Sequence, residues 1–140
     1  PWLRDHHNVT ADPAAYPGLS VATLANHDMP PFKLWWKTAP RHERDSYWRM
    51  VSRSHEHAPA LGEHALERVL ENLYGAGSAL VLLQIQDVFG SAARINVPGT
   101  VTARNWTYRF PFTVEALLTE ERPRRVAALL RRLALSSRRL

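Results

Sequence analysis

Two short, β-prone apolar runs limit what this chain can fold into. The first is Leu19–Ala25 and the second is Ala79–Gln84, and each is predicted to be a buried strand of a parallel sheet. Helical patterns lie between the two runs and after the second, which is the alternation of an α/β protein. Sheets usually contain about four to six strands, so the predicted sheet is incomplete.

The remaining segments show helical spacing or irregular composition. A short helix or turn is predicted over Phe32–Lys37, and a longer helix over the charged, aromatic segment Arg41–Glu56. Another helix is expected over Ala60–Tyr74, where it ends at Gly75-Ala76-Gly77. Two further helices are expected after the second strand. The segment Thr113–Leu118 forms the start of one, and Arg124–Leu135 forms the other. The apolar stripe of the third helix consists of Leu61, Ala65, Val69 and Leu73.

A length of 140 residues and a hydrophobic fraction of 45% fit one globular domain. We expect residues 1–18 to be an irregular lead-in and residues 19–140 to be the folded segment. No apolar run approaches the roughly 20 residues of a membrane-spanning helix, and the first residues show no signal-peptide pattern. We therefore expect a cytoplasmic protein without a membrane partner. The chain has no cysteine, which excludes disulfides and thiolate chemistry. Its first residue, Pro1, is not a methionine, which favours a processed or partial chain.

Positive charge is concentrated in the last third of the chain. From Arg104 onward the sequence has nine arginines and three glutamates, which could bind phosphates. The arginines are interleaved with Val126, Leu129, Leu130 and Leu133 at helical spacing, as on the solvated face of an amphipathic helix. We favour the helix and expect no nucleic-acid partner, although salt-dependent binding of DNA or RNA remains an alternative.

The motifs for several common chemistries are missing. The seven histidines include His6-His7 and His55-x-His57, but their spacing does not place ligands on one face, and HExxH does not occur. The chain also lacks GxSxG, GxGxxG and the P-loop pattern. We therefore expect no metal and no cofactor.

Polar residues follow both predicted strands. Asn26-His27-Asp28 comes after the first, and a loop containing Asn96 and Asn105 comes after the second. Parallel strands place such residues at one edge of a sheet, where α/β proteins bind ligands. Alternatively, Asp28 caps the next helix. Three tryptophans could stack on sugar rings or pack in the core, whereas Trp48 is predicted to be a core residue; the three are Trp35, Trp36 and Trp106.

Three motifs, in this order, resemble the C-terminal part of one enzyme family. They are Asn26–Pro30 (NHDMP) followed by Phe32 and Trp35-Trp36, then Ser78-Ala79-Leu80 followed by Gln84 and Asp87, and finally Ile95–Thr100 (INVPGT) followed by Asn105-Trp106. From about Tyr16 to Leu133 the chain resembles the 4-α-glucanotransferases (amylomaltase, disproportionating enzyme; glycoside hydrolase family 77). It departs from many amylomaltases at Asn26, where they often have threonine.

The resemblance implies a fold, an activity and a set of site residues. The fold would be the C-terminal part of a (β/α)8 TIM barrel, with the two strands as its seventh and eighth; such a barrel needs about 250 residues. The activity would be retaining transfer of α-1,4-glucan segments between maltooligosaccharides, with the nucleophile and the general acid upstream of this chain. Asp28 would stabilise the transition state, and His27 would hydrogen-bond the same sugar. Further substrate-binding residues would be Asn26, Asn96, Gly99, Thr100, Asn105 and Trp106.

The expected partners are α-1,4-glucans and the upstream remainder of the same barrel. Because neither the nucleophile nor the general acid is found in these 140 residues, we expect the chain alone to be inactive. The alternative is a catalytically inactive fragment or module that binds glucan or a partner protein.

Overall fold

The computed structural model describes Arg4 and residues 10–139. His6-His7 and the rest of residues 1–9 lie outside the described part, as does Leu140. The described part of the lead-in contains one 3-10 turn, Pro13–Ala15, in which the Ala14 N–H donates to the Asp12 side chain. The other described elements, in chain order, are β1 (Val21–Thr23), α1 (Phe32–Thr38), α2 (Arg41–Ser52), α3 (Glu63–Tyr74), β2 (Leu80–Leu82), α4 (Ile85–Val88), α5 (Val114–Thr119) and α6 (Glu121–Ser136).

The two strands pair in parallel, as the sequence predicts, with Ala22 opposite Val81. Each strand is only three residues long, shorter than predicted. The prediction that both strands are buried is wrong for one face of the sheet, where Val21, Leu80 and Leu82 are 49%, 58% and 59% exposed. Successive side chains point to opposite faces. Ala22 and Val81 therefore meet the core, while no described element buries the other face.

Local backbone geometry explains where the helices differ from their predicted bounds. α2 ends at Ser52 and not at Glu56, because Arg53 adopts a left-handed conformation with φ 54°. Asp45 then holds the following loop by accepting hydrogen bonds from the Ala58 N–H and the His57 ring, both at 2.8 Å. α3 begins at Glu63 and is closed by Gly75, whose N–H bonds to α3 carbonyls. α6 starts before the predicted Arg124, with Pro123 in its first turn, where proline is tolerated.

Aromatic residues of α1 and α2 form the centre of the core. The Phe32 ring lies 5.4–5.5 Å from the rings of Trp35, Trp36 and Tyr47. Trp48 is buried beside Trp36, which confirms its predicted core position. The suggestion that Trp35 and Trp36 present faces to a sugar is wrong for this fold, because both are almost completely buried.

α3 packs its apolar stripe against this cluster and against α6. Ala65, Val69 and Leu73 are buried, and Leu133 of α6 joins the same core. The α6 arginines point outward, and Arg132 pairs with Glu67 and Glu71 of α3. These contacts confirm an amphipathic helix with a solvated, basic face. In the described part of the chain, none of the helices is both long enough and apolar enough to cross a membrane.

Candidate functional site

A side-chain turn at Asn26 redirects the chain after β1. The Asn26 Oδ1 atom accepts hydrogen bonds from the Asp28 N–H at 3.0 Å and the Met29 N–H at 3.2 Å. Asparagine favours such turns because its side chain can accept from its own backbone two residues on. The turn exposes His27 and Asp28, whose side chains are 53% and 51% exposed and approach to 3.2 Å between Nε2 and Oδ2.

Asp87, and not Asp28, caps α1. The Phe32 N–H donates a hydrogen bond of 2.6 Å to Asp87 Oδ1, so the suggestion that Asp28 caps this helix is wrong. Asp87 is 1% exposed, and burial raises the pKa of its carboxyl while the Phe32 N–H opposes that shift. Its Oδ2 atom has no hydrogen-bond partner among the described residues. Asp87 thereby ties the segment after β2 to the helix that follows the Asp28 turn.

The two loops that follow the strands meet, as predicted from their position. The Asn96 Nδ2 group donates to Asp28 Oδ1 at 2.8 Å. Arg94 links the same loops through their backbones, because its Nη2 donates to the Asp28 carbonyl and its Nε to the Asn96 carbonyl, both at 3.0 Å. Arg94 is not among the site residues predicted from the sequence, since nothing local shows that its guanidinium reaches a carbonyl 66 residues away.

Hydrogen bonds within the second loop hold its predicted site residues in place. Val97-Pro98-Gly99-Thr100 forms a tight turn, in which the Thr100 N–H reaches the Val97 carbonyl and Gly99 has φ +73°. Proline followed by glycine is the pattern such a turn requires. Asn105 closes the loop by accepting from the Val97 N–H at 3.2 Å and donating to the Thr100 carbonyl at 2.9 Å.

Trp106 is held in a conformation that is unusual for a bulky residue. Its φ is 65°, in the left-handed region, and its N–H donates to the Ile95 carbonyl at 2.8 Å. The side chain is 64% exposed, and its ring centroid lies 5.3 Å from that of His27. An indole fixed beside an exposed imidazole and carboxylate offers an apolar face next to polar groups.

The structure thus brings most of the predicted site residues to one end of the sheet. At this end lie the Asp28 carboxylate, the His27 imidazole, the Asn96 carboxamide and the Trp106 indole. Beside them is an open depression of about 390 Å³, whose lining includes Asn96, Gly99, Thr100, Asn105 and Trp106. The described residues contain no group of three or more side chains suited to hold a metal ion. His57, of the His55-x-His57 pair, forms an ion pair with Asp45 when its ring is protonated.

The fold is that of an α/β protein, because helices flank a parallel sheet. Its hydrogen-bonding groups lie beyond the carboxyl ends of the strands, where α/β proteins bind ligands, so this end is a candidate ligand site. Residues 2–115 match the family model described as 4-alpha-glucanotransferase, glycoside hydrolase family 77. The chain therefore belongs to that family.

Relatives and a solved structure agree with this assignment. The chain is 30% identical over 116 residues to a 4-alpha-glucanotransferase of Chlamydia caviae, a match that covers 76% of this chain and 21% of that protein. It is 29% identical over 112 residues to the 4-alpha-glucanotransferase of Chlamydia muridarum, with 73% and 21% covered. Amylomaltase from Streptococcus agalactiae, solved in complex with acarbose, superposes with a TM-score of 0.70 at 25% identity, with 90% of this chain and 23% of that chain covered. The chain thus spans about a fifth of the length of these relatives.

Proposed function

We propose that this chain is the C-terminal part of a 4-α-glucanotransferase, which transfers α-1,4-glucan segments between maltooligosaccharides. The observation that carries the proposal is the half-exposed Asp28 carboxylate, oriented by Asn96 and flanked by His27 at the ends of two parallel strands. The family of the chain and its similarity to an amylomaltase that was solved with acarbose support a glucan as the ligand.

The proposed reaction is retaining. A carboxylate attacks the anomeric carbon while a carboxylic acid protonates the departing glycosidic oxygen. The hydroxyl of a second sugar then displaces the enzyme carboxylate, as its proton passes to the group that acted as the acid. We expect both of these groups upstream of the present residues. The contribution of this chain is to bind the sugar beside the reacting carbon.

Asp28 is suited to bind more tightly as the transition state forms. The sugar ring flattens and gains positive charge as the leaving group departs, so hydrogen bonds to a carboxylate strengthen at that point. Asn96 donates to only one carboxylate oxygen, Oδ1. Lone pairs of both oxygens therefore remain for sugar hydroxyls, because an ionised carboxylate has about four acceptor positions.

Trp106 and the second loop would form the neighbouring wall of the site. The exposed indole offers an apolar face for a sugar ring, and the His27 ring beside it, 5.3 Å away between centroids, offers a hydrogen-bonding group. Asn26 would act mainly by forming the turn that presents His27 and Asp28. Gly99, Thr100 and Asn105 would act by shaping the loop in which they lie.

The strands β1 and β2 would be the seventh and eighth strands of a (β/α)8 barrel. The exposed face formed by Val21, Leu80 and Leu82 supports this placement, because barrel strands bury side chains on both faces. The upstream remainder of the barrel would cover that face.

The proposal is tested with Asp28→Asn in the complete polypeptide that carries this chain. The assay is conversion of maltotriose into glucose and longer maltooligosaccharides. We expect kcat to fall on the order of 10²–10³-fold, the usual cost of losing one transition-state contact, with little change in unfolding midpoint because the side chain is half exposed.

Glu56→Gln is the matched control, since Glu56 is an exposed carboxylate in the α2–α3 loop. The control should keep wild-type turnover. If Asp28→Asn also kept wild-type turnover, the assignment of the site to Asp28 would be wrong.

A further inference from the structure

We infer that Arg94 is a positioning residue that sets the orientation of Asp28 by fastening the two strand-end loops together. The inference rests on the proposed function of Asp28. One guanidinium group donates to the main-chain carbonyls of both Asp28 and Asn96, at 3.0 Å each.

Arg94 acts on both ends of the bond that orients the carboxylate. The Asn96 Nδ2 group donates to Asp28 Oδ1 at 2.8 Å. The backbone of the donor residue and the backbone of the acceptor residue are each held by Arg94. The guanidinium therefore fixes the separation of the two residues, while its bonds go to carbonyls and leave the carboxylate oxygens to Asn96, His27 and a ligand.

Hydrogen bonds, more than close packing, set the position of the carboxylate, because the Asp28 side chain is about half exposed. The Asn26 turn holds the Asp28 N–H, and Arg94 holds the Asp28 carbonyl. Arg94 is itself only partly exposed, and hydrogen bonds from a charged donor strengthen when water is partly excluded.

The chemistry of this bridge requires arginine. A guanidinium is planar and presents its N–H groups as a rigid fork, so Nε and Nη2 can serve two acceptors at fixed angles. A lysine ammonium is a single point charge on a flexible stem. Arg94→Lys would keep the charge and reach one carbonyl, but it would not hold the two loops at one distance.

The experiment compares Arg94→Ala, Arg94→Lys and Asp28→Asn in the complete polypeptide, in the same maltotriose assay. Arg124→Ala is the control, because Arg124 is exposed on α6 and its side chain makes no ion pair within the described part of the chain. A misplacement of about 1 Å, or loss of a supporting residue, typically costs on the order of 10–100-fold in rate. We expect Arg94→Ala to lower kcat by that factor, with KM changed less than about threefold, since the lost contact acts on transition-state binding.

Two further readouts separate positioning from folding. Guanidinium ion at a concentration too low to unfold the protein should restore part of the turnover of Arg94→Ala. It should not change the turnover of Asp28→Asn or of the Arg124→Ala control, which should keep wild-type turnover without it. Arg94→Lys should keep the unfolding midpoint of the wild type and still lose kcat. If Arg94→Ala does not fold, the kcat of Arg94→Lys decides the question.

The outcomes distinguish this inference from the proposed function. Wild-type kcat in both Arg94 variants, together with an inactive Asp28→Asn, would overturn the role of Arg94 alone. A loss of activity that follows the unfolded fraction and is not rescued by guanidinium would also overturn it, since Arg94 would then be purely structural. Full activity in Asp28→Asn would instead show that the proposed function is wrong.

Discussion

The buried carboxylate of Asp87 links the end of β2 to the first turn of α1, and replacing it should loosen that junction. Asp87→Ala removes the acceptor of the Phe32 N–H, a hydrogen bond of 2.6 Å between groups that are each 1% exposed. Asp87→Asn is the matched variant, because its amide oxygen can still accept from Phe32 while the buried charge is lost.

The expected size follows from the burial of the donor. A buried N–H that loses its acceptor costs about 1–3 kcal/mol, and removal of a helix cap by alanine costs about 0.5–2 kcal/mol. These values describe one loss and are not summed, so we expect Asp87→Ala to be destabilised by about 1–3 kcal/mol. Asp87→Asn should cost less than about 1 kcal/mol, because the bond to Phe32 remains.

The pH dependence of the free energy of unfolding should also differ between the wild type and Asp87→Asn. Burial raises the pKa of Asp87. Between the ordinary carboxyl pKa of about 3.9 and the raised one, the folded protein therefore binds a proton that the unfolded chain releases, and stability falls as pH rises through that interval. Asp87→Asn cannot titrate, so its stability relative to wild type should increase as pH rises through the same interval.

Two assays measure the effect in the complete polypeptide. Hydrogen exchange of the Phe32 amide reports the junction directly, and a loss of 1–3 kcal/mol corresponds to exchange faster by about 5- to 150-fold. Urea unfolding followed by tryptophan fluorescence reports the whole core, because Trp35 and Trp36 pack on Phe32. Equal exchange in Asp87→Ala and Asp87→Asn would refute the capping argument.

Three other changes test local features of the fold. Gly77→Ala should cost about 1–3 kcal/mol in an unfolding experiment, because its methyl would overlap the carbonyl of Tyr16; Gly18→Ala, at an exposed glycine with open space around it, should cost less than about 0.5 kcal/mol. Trp106→Gly should be more stable than Trp106→Ala by about 1 kcal/mol, because glycine adopts the left-handed backbone found there without strain, and equal unfolding midpoints would contradict this. The hydrogen bond from the Ala58 N–H is the largest cause that lowers the pKa of Asp45. The free energy of unfolding should therefore fall as pH drops below about 4, and it should fall less steeply in acid titration of Asp45→Asn.

The parallel pairing and the meeting of the two loops could be predicted from the sequence. Both follow from apolar, β-prone runs with polar residues directly behind them, and parallel strands carry such residues to one edge. The exposure of Leu80 and Leu82 agrees with the predicted incompleteness of a sheet that has only two strands. Which side chains it would expose could not be predicted, because an apolar run indicates a surface that can be buried and not what covers it. Trp35 and Trp36 were ambiguous for a similar reason, since tryptophan serves both in cores and in sugar sites.

Contacts between distant residues account for the rest of what sequence reasoning missed. Asp28 before a proline-started helix has the local pattern of a cap, yet the cap comes from Asp87, 55 residues away. Arg94 lies next to a recognised motif, but its two acceptors are set by how the loops pack. Local sequence identifies the groups that can form such bonds, and tertiary structure selects which of them do.

The most direct test of the account is a crystal structure of the complete polypeptide with a bound maltooligosaccharide. The account predicts that the Asp28 carboxylate accepts hydrogen bonds from hydroxyls of one sugar, at about 2.5–3.0 Å between oxygens, with Asn96 still bonded to Oδ1. A glucan bound in the site with Asp28 turned away from every sugar hydroxyl would contradict it.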